Sequence, residues 1–253
     1  MPFHANIIWY ESLDSTNSEA LRNLPSLKCG DTIAARFQTA GKGQRGNSWK
    51  SAAGDNLTFS MVLKFGDGPL PPIPAKCQFS LSEASTITVR DYLTSKGVRA
   101  QIKWPNDIYV AGKKICGMLL ENQIGSGAML TGSIVGIGIN MNQTEFDPGL
   151  MNPVSLKKLT NKDYDIEAEL QEICRRLSEN FSLCATEEGR ASLHENYLKD
   201  LYRLDMEYDY TDCLEGCPMR GKIVDVSPTG MLKFKTNEGK LKEFAFKEIS
   251  YII

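Results

Sequence analysis

The pattern of apolar residues changes near Tyr210, and this change constrains the fold more than any other feature of the chain. Before it, apolar residues recur at helical spacing in some segments and alternate in others, which predicts one mixed domain of helices and strands. After it, short β-type runs are separated by turn residues. We therefore expect an α/β (α+β) domain over residues 1–210 and a small β-barrel-like domain over residues 211–253, joined near residues 213–218.

Local patterns place several elements within the first of these parts. Residues 57–65 alternate between apolar and more polar side chains, which predicts a strand with one buried face. Thr16 and Glu19 have capping-box spacing, so we expect a helix to begin at Thr16. Further strands are predicted at residues 100–104, 115–121 and 129–140, and further helices at residues 77–96, 170–184 and 193–197.

Composition narrows the class of protein. A net charge of -2 over 253 residues excludes a strongly basic protein and gives no overall field for nucleic acid or a membrane surface. The chain has no apolar run of about 18 residues and no apolar segment after its first residues that is typical of a secretion signal. We therefore expect a cytoplasmic protein that does not enter a membrane.

The cysteine and histidine content argues against several kinds of chemistry. The seven cysteines include no Cys-x-x-Cys pair, and only His4 and His194 are available as histidines. These spacings disfavour a structural zinc site, a disulfide framework and a nucleophile activated by histidine. We expect chemistry that uses lysines, backbone amides and an external metal ion, with no metal ligands from the protein.

A glycine-rich segment over residues 38–49 is the first candidate site. Three glycines within six residues let the backbone approach a ligand closely, and Lys42 and Arg45 suit an anion. The segment fits neither the P-loop nor the dinucleotide-binding pattern, so by itself it also fits a mobile surface loop. Trp49 beside it offers an aromatic plane for a nucleotide base.

The second candidate is Lys-Trp-Pro-Asn-Asp at residues 103–107, followed by Lys114 and Gly117. A strand is expected to end there, to present an amide and a carboxylate, and to return after a turn at Gly112. Each residue also has an ordinary interpretation, Asn106 and Asp107 as a turn pair and Lys114 as a solvated lysine on an edge strand.

The third candidate is Gly-Ile-Gly-Ile-Asn at residues 136–140. Glycine weakens a strand, so two of them predict a bulge or a close ligand, and packing against neighbouring side chains is the alternative.

Taken together, these segments resemble the biotin–protein ligase family. The resemblance runs from Asp-Ser-Thr-Asn at residues 14–17, through the glycine-rich segment and the Lys-Trp-Pro-Asn-Asp block, to Gly-Ile-Gly-Ile-Asn. Residues 221–249 are similar to the SH3-like end domain of that family. The fold implied is a mixed sheet with helices like that of class II aminoacyl-tRNA synthetases, followed by a small C-terminal SH3-like β-barrel.

The resemblance also implies a reaction and its participants. The enzyme would form biotinyl-5'-AMP from biotin and ATP with Mg²⁺, and then transfer biotin to a lysine of a biotin carboxyl carrier protein. It would act without a covalent enzyme intermediate, and Asp107 is a chemical candidate for accepting a proton. It would bind neither a membrane nor DNA, and a homodimer is compatible with the family.

The family pattern assigns roles to residues of this chain. Catalytic charge would come from Lys114, Lys42 and Arg45. Biotin would contact Ser15, Thr16, Asn17, Gln38, Lys42, Gly43, Gln44, Lys114 and Gly117. ATP and the adenylate would contact Gly41, Gly46, Trp49, Asn106, Asp107 and Asn140.

The chain departs from the family pattern in two places. Lys42, Gln44 and Asn47 stand where the loop often carries arginines. Because arginine binds phosphate through two hydrogen bonds and lysine as a point charge, this bears on how firmly the adenylate is held. The short segment before Ser15 also predicts that the winged helix-turn-helix of some members is missing.

Two other functions compete with biotin ligation. A lipoate or octanoate ligase or transferase of the same fold is the nearest rival, but those families lack the Lys-Trp-Pro-Asn-Asp block. A regulatory or nucleic-acid-binding protein is the rival from another class, and the acidic net charge disfavours it.

Overall fold

The computed structural model describes residues 3–66 and 68–252, and at Arg45 the backbone without the side chain. The strands are β1 (Ile7–Tyr10), β2 (Thr32–Ala35), β3 (Leu57–Lys64), β4 (Ile73–Pro74), β5 (Gln101–Lys103), β6 (Asp107–Val110), β7 (Lys113–Ile124), β8 (Met129–Ile139), β9 (Tyr208–Asp212), β10 (Cys217–Val226), β11 (Leu232–Thr236), β12 (Leu241–Phe244) and β13 (Ile249–Tyr251). The α-helices are α1 (Thr16–Asn23), α2 (Phe79–Ser95), α3 (Leu156–Thr160), α4 (Ile166–Leu183) and α5 (Glu187–Lys199).

The first eight strands form one mixed sheet in the order β1-β2-β3-β8-β7-β6-β5, with β4 paired to β8, across the described residues. β1 and β2 are parallel, whereas β3, β8, β7 and β6 pair antiparallel in turn. The predicted mixed sheet with helices is therefore confirmed. None of the described helices has both the length and the apolar character that crossing a membrane requires.

Strand β3 is buried on both faces, so the prediction of a single buried face was wrong. Phe59 and Met61 belong to the large core that also includes apolar residues of α2 and α4. Val62 lies on the opposite face, in a smaller cluster with Ala20 of α1. The polar residues that suggested an exposed face are buried as well, because α1 covers them and supplies polar partners; Ser60 is fully buried.

Helix α1 begins differently from the capping-box prediction. Ser15 occupies the N-cap position in an extended conformation, and Thr16 is the first helical residue. The backbone N–H of Thr16 donates to Oε1 of Gln38 over 2.7 Å. A distant glutamine therefore satisfies a donor that a local side chain satisfies in a capping box, and the sequence pattern did not contain this tertiary contact.

The five strands β9 to β13 form a second, antiparallel sheet in the order β12-β11-β10-β9-β13 in the described chain. This arrangement agrees with the predicted SH3-like domain. Cys217 pairs with Asp212, so residues 213–216 form a hairpin within this sheet and the predicted joint near residues 213–218 was wrong. The division at residues 210 and 211 stays a prediction, and β9 crosses it.

Candidate functional site

A cavity of about 770 Å³ opens between the glycine-rich loop, strands β7 and β8, and the β12–β13 end of the second sheet. Most residues predicted for the site line it. They are Ser15, Thr16, Asn17, Gln38, Lys42, Gly43, Gln44, Trp49, Asn106, Asp107, Lys114, Gly117 and Asn140. Gly41 and Gly46 are not among its lining residues, and the side chain of Arg45 lies outside the described residues.

The glycine-rich loop is a closed hairpin. The N–H of Trp49 donates to the carbonyl oxygen of Gly41 over 2.8 Å, and the N–H of Gly43 donates to that of Asn47 over 2.7 Å. A Cβ atom at Gly41 would lie 2.3 Å from the Trp49 carbonyl oxygen, so this close approach requires glycine. Lys42 is exposed at the edge of the cavity, where its charge faces solvent and incoming anions.

Glycines of β7 and β8 provide room for two side chains of the site. A Cβ atom at Gly138 would lie 2.3 Å from Cε2 of Trp49, and one at Gly136 would lie 1.9 Å from Oδ1 of Asn17. Gly117 also lies under the Trp49 ring, with a Cβ atom there 3.0 Å from Cζ3. The pairing of β8 is regular at Gly136 and Gly138. These glycines therefore serve packing, and the predicted bulge at them is absent from the described strand.

A buried polar network fixes the start of α1. The Ser60 hydroxyl donates to Oδ1 of Asn17 over 2.6 Å and lies 2.8 Å from the Thr16 hydroxyl. Nδ2 of Asn17 donates to Glu121 over 2.7 Å. Thr16 also holds Gln38 through its backbone N–H. Because each buried polar group has a partner, these side chains are held in fixed positions at one end of the cavity.

Lys114 and Asp107 form an ion pair in the wall of the cavity, with Nζ 2.7 Å from Oδ1. The pairing of β6 with β7 shifts between Ile108 and Tyr109, which places an extra residue on β7. Such a bulge changes the face toward which the next side chain points. Lys114 consequently extends over Gly117, with its ammonium 6.0 Å from the centroid of the Trp49 ring.

This geometry excludes the ordinary interpretation of Lys114. Strand β7 lies inside the sheet between β6 and β8, so Lys114 does not occupy an edge strand. Its side chain is 33% exposed, which leaves the charge available to a ligand in the cavity. Asp107 begins strand β6 and is likewise more than a turn residue.

The two asparagines assigned to ATP are engaged with the backbone. Asn106 is buried and donates through Nδ2 to the carbonyl oxygen of Met118. Asn140 is also buried and donates to the carbonyl oxygen of Val154 over 3.0 Å. Both residues line the cavity, and these bonds orient their side-chain oxygens.

Lys103 also lines the cavity, although the sequence patterns gave it no role. Its Nζ donates to the Tyr109 hydroxyl over 3.2 Å and lies 4.8 Å from the centroid of the Tyr251 ring. Burial lowers the pKa of Lys103, and the charge of Asp107 opposes this effect. The sequence signal for Lys103 was its position as the first residue of the Lys-Trp-Pro-Asn-Asp block. Its proximity to Tyr251 of the second sheet depends on the tertiary structure and could not be predicted from the sequence.

The described residues contain no cluster of three or more histidine, cysteine, aspartate or glutamate side chains that could hold a metal ion. Asp107 is the one carboxylate among the described residues that line the cavity. This donor set does not form a protein cage. It fits Mg²⁺ held mainly by phosphate oxygens of a nucleotide, which is how this ion is commonly bound at nucleotide sites.

The chain is similar to known proteins of one family. Residues 9–140, just over half of the chain, match the Biotin/lipoate A/B protein ligase family. The biotin--[acetyl-CoA-carboxylase] ligase of Paracoccus denitrificans is 37% identical over 161 residues, which cover 61% of this chain and 64% of that protein. The bifunctional ligase/repressor BirA of Escherichia coli is 34% identical over 143 residues, covering 55% of this chain and 42% of that protein.

The matched regions thus span less than two thirds of the length of these two relatives. Similarity to a solved structure extends further. The biotin protein ligase of Aquifex aeolicus, solved in complex with biotin and ATP, superimposes with a TM-score of 0.76 at 28% identity. The superposition covers 97% of each chain, so it includes both sheets of the present structure.

Proposed function

Because this chain belongs to the biotin/lipoate A/B protein ligase family, we propose that it is an ATP-dependent biotin–protein ligase. It forms biotinyl-5'-AMP from biotin and ATP and transfers biotin to a specific lysine of a biotin carboxyl carrier protein. The similarity to the biotin--[acetyl-CoA-carboxylase] ligase of Paracoccus denitrificans and to the Aquifex aeolicus structure with biotin and ATP supports this proposal.

One structural observation carries the proposal. The Lys114–Asp107 ion pair and the Trp49 indole meet over Gly117 in a single cavity. This arrangement suits an acyl-adenylate. The lysine cation matches the negative charge of the acyl phosphate, and the indole ring offers a plane against which adenine can stack. The partly buried Thr16–Gln38 contact lies in the same cavity and suits a small polar ring.

The first half-reaction requires two anions to approach one another. Lys114 and Lys42 lower the repulsion between the biotin carboxylate and the α-phosphate, and the Arg45 side chain is assigned to the same task from the sequence. When bound, Mg²⁺ supplies further neutralisation of phosphate oxygens. The carboxylate oxygen then attacks the α-phosphorus, pyrophosphate leaves, and Lys114 stabilises charge as it redistributes between the two groups.

Binding and orientation fall to the other cavity residues. Ser15, Thr16, Asn17, Gln38, Gly43 and Gln44 are proposed to hold biotin. Trp49, Asn106 and Asn140 are proposed to hold the adenylate, together with Gly41 and Gly46 of the glycine-rich loop, which do not line the cavity themselves. By holding the two reactants together and excluding water, these residues lower the barrier without a covalent intermediate on the enzyme.

Lipoate or octanoate ligation is the alternative within the family. The exchange of labelled pyrophosphate into ATP, measured separately with biotin, lipoate and octanoate, tests the proposal. We expect exchange that depends on biotin, since only the correct acid forms an adenylate reversibly. Exchange supported by lipoate or octanoate in preference to biotin would assign the enzyme to the alternative.

The location, DNA binding and oligomeric state of the protein are further parts of the proposal. We propose a cytoplasmic location, where ATP is abundant. We also propose no sequence-specific DNA binding, in keeping with the net charge of -2; a mobility shift that survives non-specific competitor DNA would contradict this. A homodimer is compatible with the family, and sedimentation equilibrium of the purified chain decides between monomer and dimer.

A further inference from the structure

Lys103 occupies the part of the cavity wall where the two sheets face one another. It ends strand β5, and its ammonium lies near Tyr109 of β6 and Tyr251 of β13. Its Nζ lies 4.7 Å from the centroid of the Tyr109 ring and 4.8 Å from that of the Tyr251 ring. The lysine thus lies close to aromatic rings from two different sheets, and it lines the cavity.

The lysines Lys114 and Lys103, which both line this cavity, differ in the charge of the group that each contacts. Lys114 has a carboxylate partner, Asp107, at 2.7 Å. Lys103 has no ion pair with any described carboxylate, and its described hydrogen bond goes to the neutral hydroxyl of Tyr109. An ammonium that is desolvated and has no ion-pair partner gives up its proton more easily.

Burial and two of the three charged neighbours lower the pKa of Lys103. Burial lowers its pKa from the ordinary value of 10.5; Asp107 opposes this, while Lys114 and Arg203 add to it. Burial raises the pKa of Tyr109 to about 12 and raises that of Tyr251 well above its usual value. Both hydroxyls therefore hold their protons, and Lys103 is the one group of this trio whose pKa is lowered.

The second half-reaction of a biotin ligase needs such a group. An acceptor lysine arrives as an ammonium ion, and it becomes a nucleophile only after it loses a proton. Asp107 is the other base of the described cavity wall, but its carboxylate is engaged with Lys114.

We propose that Lys103 accepts the proton of the acceptor lysine during transfer of biotin from the adenylate, an inference that rests on the proposed function. The acceptor nitrogen forms a bond to the carbonyl carbon of the mixed anhydride. The bond from that carbon to the phosphate oxygen breaks, and AMP leaves with the electron pair. The nitrogen loses two protons in all: the first passes from the ammonium to Nζ of Lys103 and from there to water, and the second is released to water as the amide forms.

The test separates the two half-reactions. Adenylate formation is followed in single turnovers with biotin and ATP alone. Transfer is then followed from enzyme loaded with biotinyl-5'-AMP, with a biotin carboxyl carrier domain, with Nα-acetyl-lysine amide, and with hydroxylamine as acceptors. Hydroxylamine is largely uncharged at neutral pH and needs no base, so it reports whether the adenylate is correctly held.

We expect Lys103→Met to slow transfer to both lysine acceptors by about 10²-fold at neutral pH, the scale of a positioned general base. Its reaction with hydroxylamine should stay within about threefold of wild type. Lys103→Arg should be as slow as Lys103→Met, because arginine keeps the charge but does not deprotonate. Lys113→Met is the matched control, since Lys113 is exposed at the start of β7 and absent from the cavity lining, and it should transfer at the wild-type rate.

The pH profile gives a readout that does not depend on the variants. In wild type, the rate of transfer to a lysine acceptor should rise with pH and level off below the ordinary lysine pKa of 10.5, as Lys103 becomes neutral. The hydroxylamine rate should lack this rise. A hydroxylamine profile with the same ionisation would overturn the inference even if Lys103 variants did not fold.

Other outcomes also decide against Lys103. Wild-type transfer by Lys103→Arg would show that it acts only as a cation, and equal slowing of hydroxylamine would show that it merely holds the adenylate. Loss of transfer in Asp107→Asn but not in Lys103→Met would assign the proton to Asp107. If wild-type enzyme formed no adenylate from biotin and ATP, the proposed function would fail; an adenylate with unaffected Lys103 variants would refute this inference alone.

Discussion

Trp104 donates a hydrogen bond from its indole Nε1 to the backbone carbonyl oxygen of Gly230, 3.0 Å away. The first residue belongs to the Lys-Trp-Pro-Asn-Asp block of the main sheet, and the second belongs to the turn between β10 and β11. The Trp104 ring also meets Phe246 edge to face, with 6.2 Å between centroids. The Lys-Trp-Pro-Asn-Asp block, which the sequence predicts to be part of the functional site, therefore also connects the two sheets.

This contact predicts a separation of stability from chemistry. Trp104→Phe keeps an aromatic ring but leaves the Gly230 carbonyl oxygen without its donor. We expect the free energy of unfolding to fall by about 1 kcal/mol, with adenylate formation within about threefold of wild type. Urea unfolding measures the first and single-turnover adenylation the second. Trp9→Phe, on strand β1 and outside the cavity lining, is the control.

A drop in adenylation without any loss of stability would contradict this interpretation of Trp104. That result would mean that the indole acts on the bound nucleotide directly and that its contact with Gly230 is incidental.

His194 links the helical layer to the second sheet in a similar way. Its Nδ1 lies 2.7 Å from Oε1 of Glu83 and its Nε2 lies 3.0 Å from Oδ1 of Asp225. The hydrogen bond to Glu83 raises the pKa of His194, burial opposes the rise, and the charges of Glu83 and Asp225 add to it. His194 therefore binds its proton more tightly when the protein is folded.

The sign of the pH effect follows from that shift. A raised folded-state pKa contributes stability that is complete below the unfolded value near 6.5 and disappears as pH rises through the folded value. The difference in unfolding free energy between wild type and His194→Gln should accordingly be largest below pH 6.5 and should shrink as the pH rises above that value. His4→Gln is the control, because His4 is exposed. A difference that grows with pH would refute the assignment.

The packing of the Trp49 ring against Gly117 and Gly138 leads to a prediction about nucleotide binding. Trp49→Ala should weaken ATP by about 1–3 kcal/mol, by analogy with base–aromatic stacking, and should weaken biotin much less. Gly138→Ala should have a similar effect, because its Cβ atom would lie 2.3 Å from the indole and displace it. Calorimetry with each ligand measures both variants.

Gly125→Ala offers a comparison for the glycine variant, since Gly125 lies in the β7–β8 turn and outside the cavity lining. If Trp49→Ala and Gly138→Ala weakened biotin as much as ATP, the indole would be a core residue and not a platform for the base.

Much of this architecture could be predicted from the sequence, for identifiable reasons. Periodicity depends on which side of an element is buried, so it located the long strands β7 and β8 and the helices α2 and α4. It failed at β3, because alternation with polar residues predicts water on one face, whereas Ser60 is buried under α1 with Asn17 and Thr16 as partners.

Site geometry was less accessible than site membership. Composition and spacing selected Lys114, but its direction depends on a one-residue shift in the pairing of β6 with β7. Lys103 received no role because its aromatic partner Tyr251 lies 148 positions later (251 − 103) and meets it only through the second sheet. Such contacts between distant segments leave no periodic signal in one sequence.

Lys114→Ala tests the assignment on which the proposed chemistry most depends. Removing one preorganised charge from the reacting centre should slow adenylate formation by about 10²–10³-fold. The melting temperature should change little, because the side chain is 33% exposed and its ion pair with Asp107 is partly solvated. Single-turnover formation of biotinyl-5'-AMP measures the rate, and thermal unfolding measures the stability.

Lys113→Ala is the matched control for Lys114, since the two lysines are adjacent on β7 but Lys113 is exposed and absent from the cavity lining. Lys114→Ala combined with Asp107→Asn separates two explanations of a slow rate. If Lys114 acts on the substrates, the double variant stays slow; if its loss merely leaves Asp107 as an unpaired anion that repels ATP, neutralising Asp107 restores much of the rate. A Lys114→Ala rate within threefold of wild type would remove Lys114 from the reacting centre altogether, because a charge that stabilises the transition state cannot be deleted without cost.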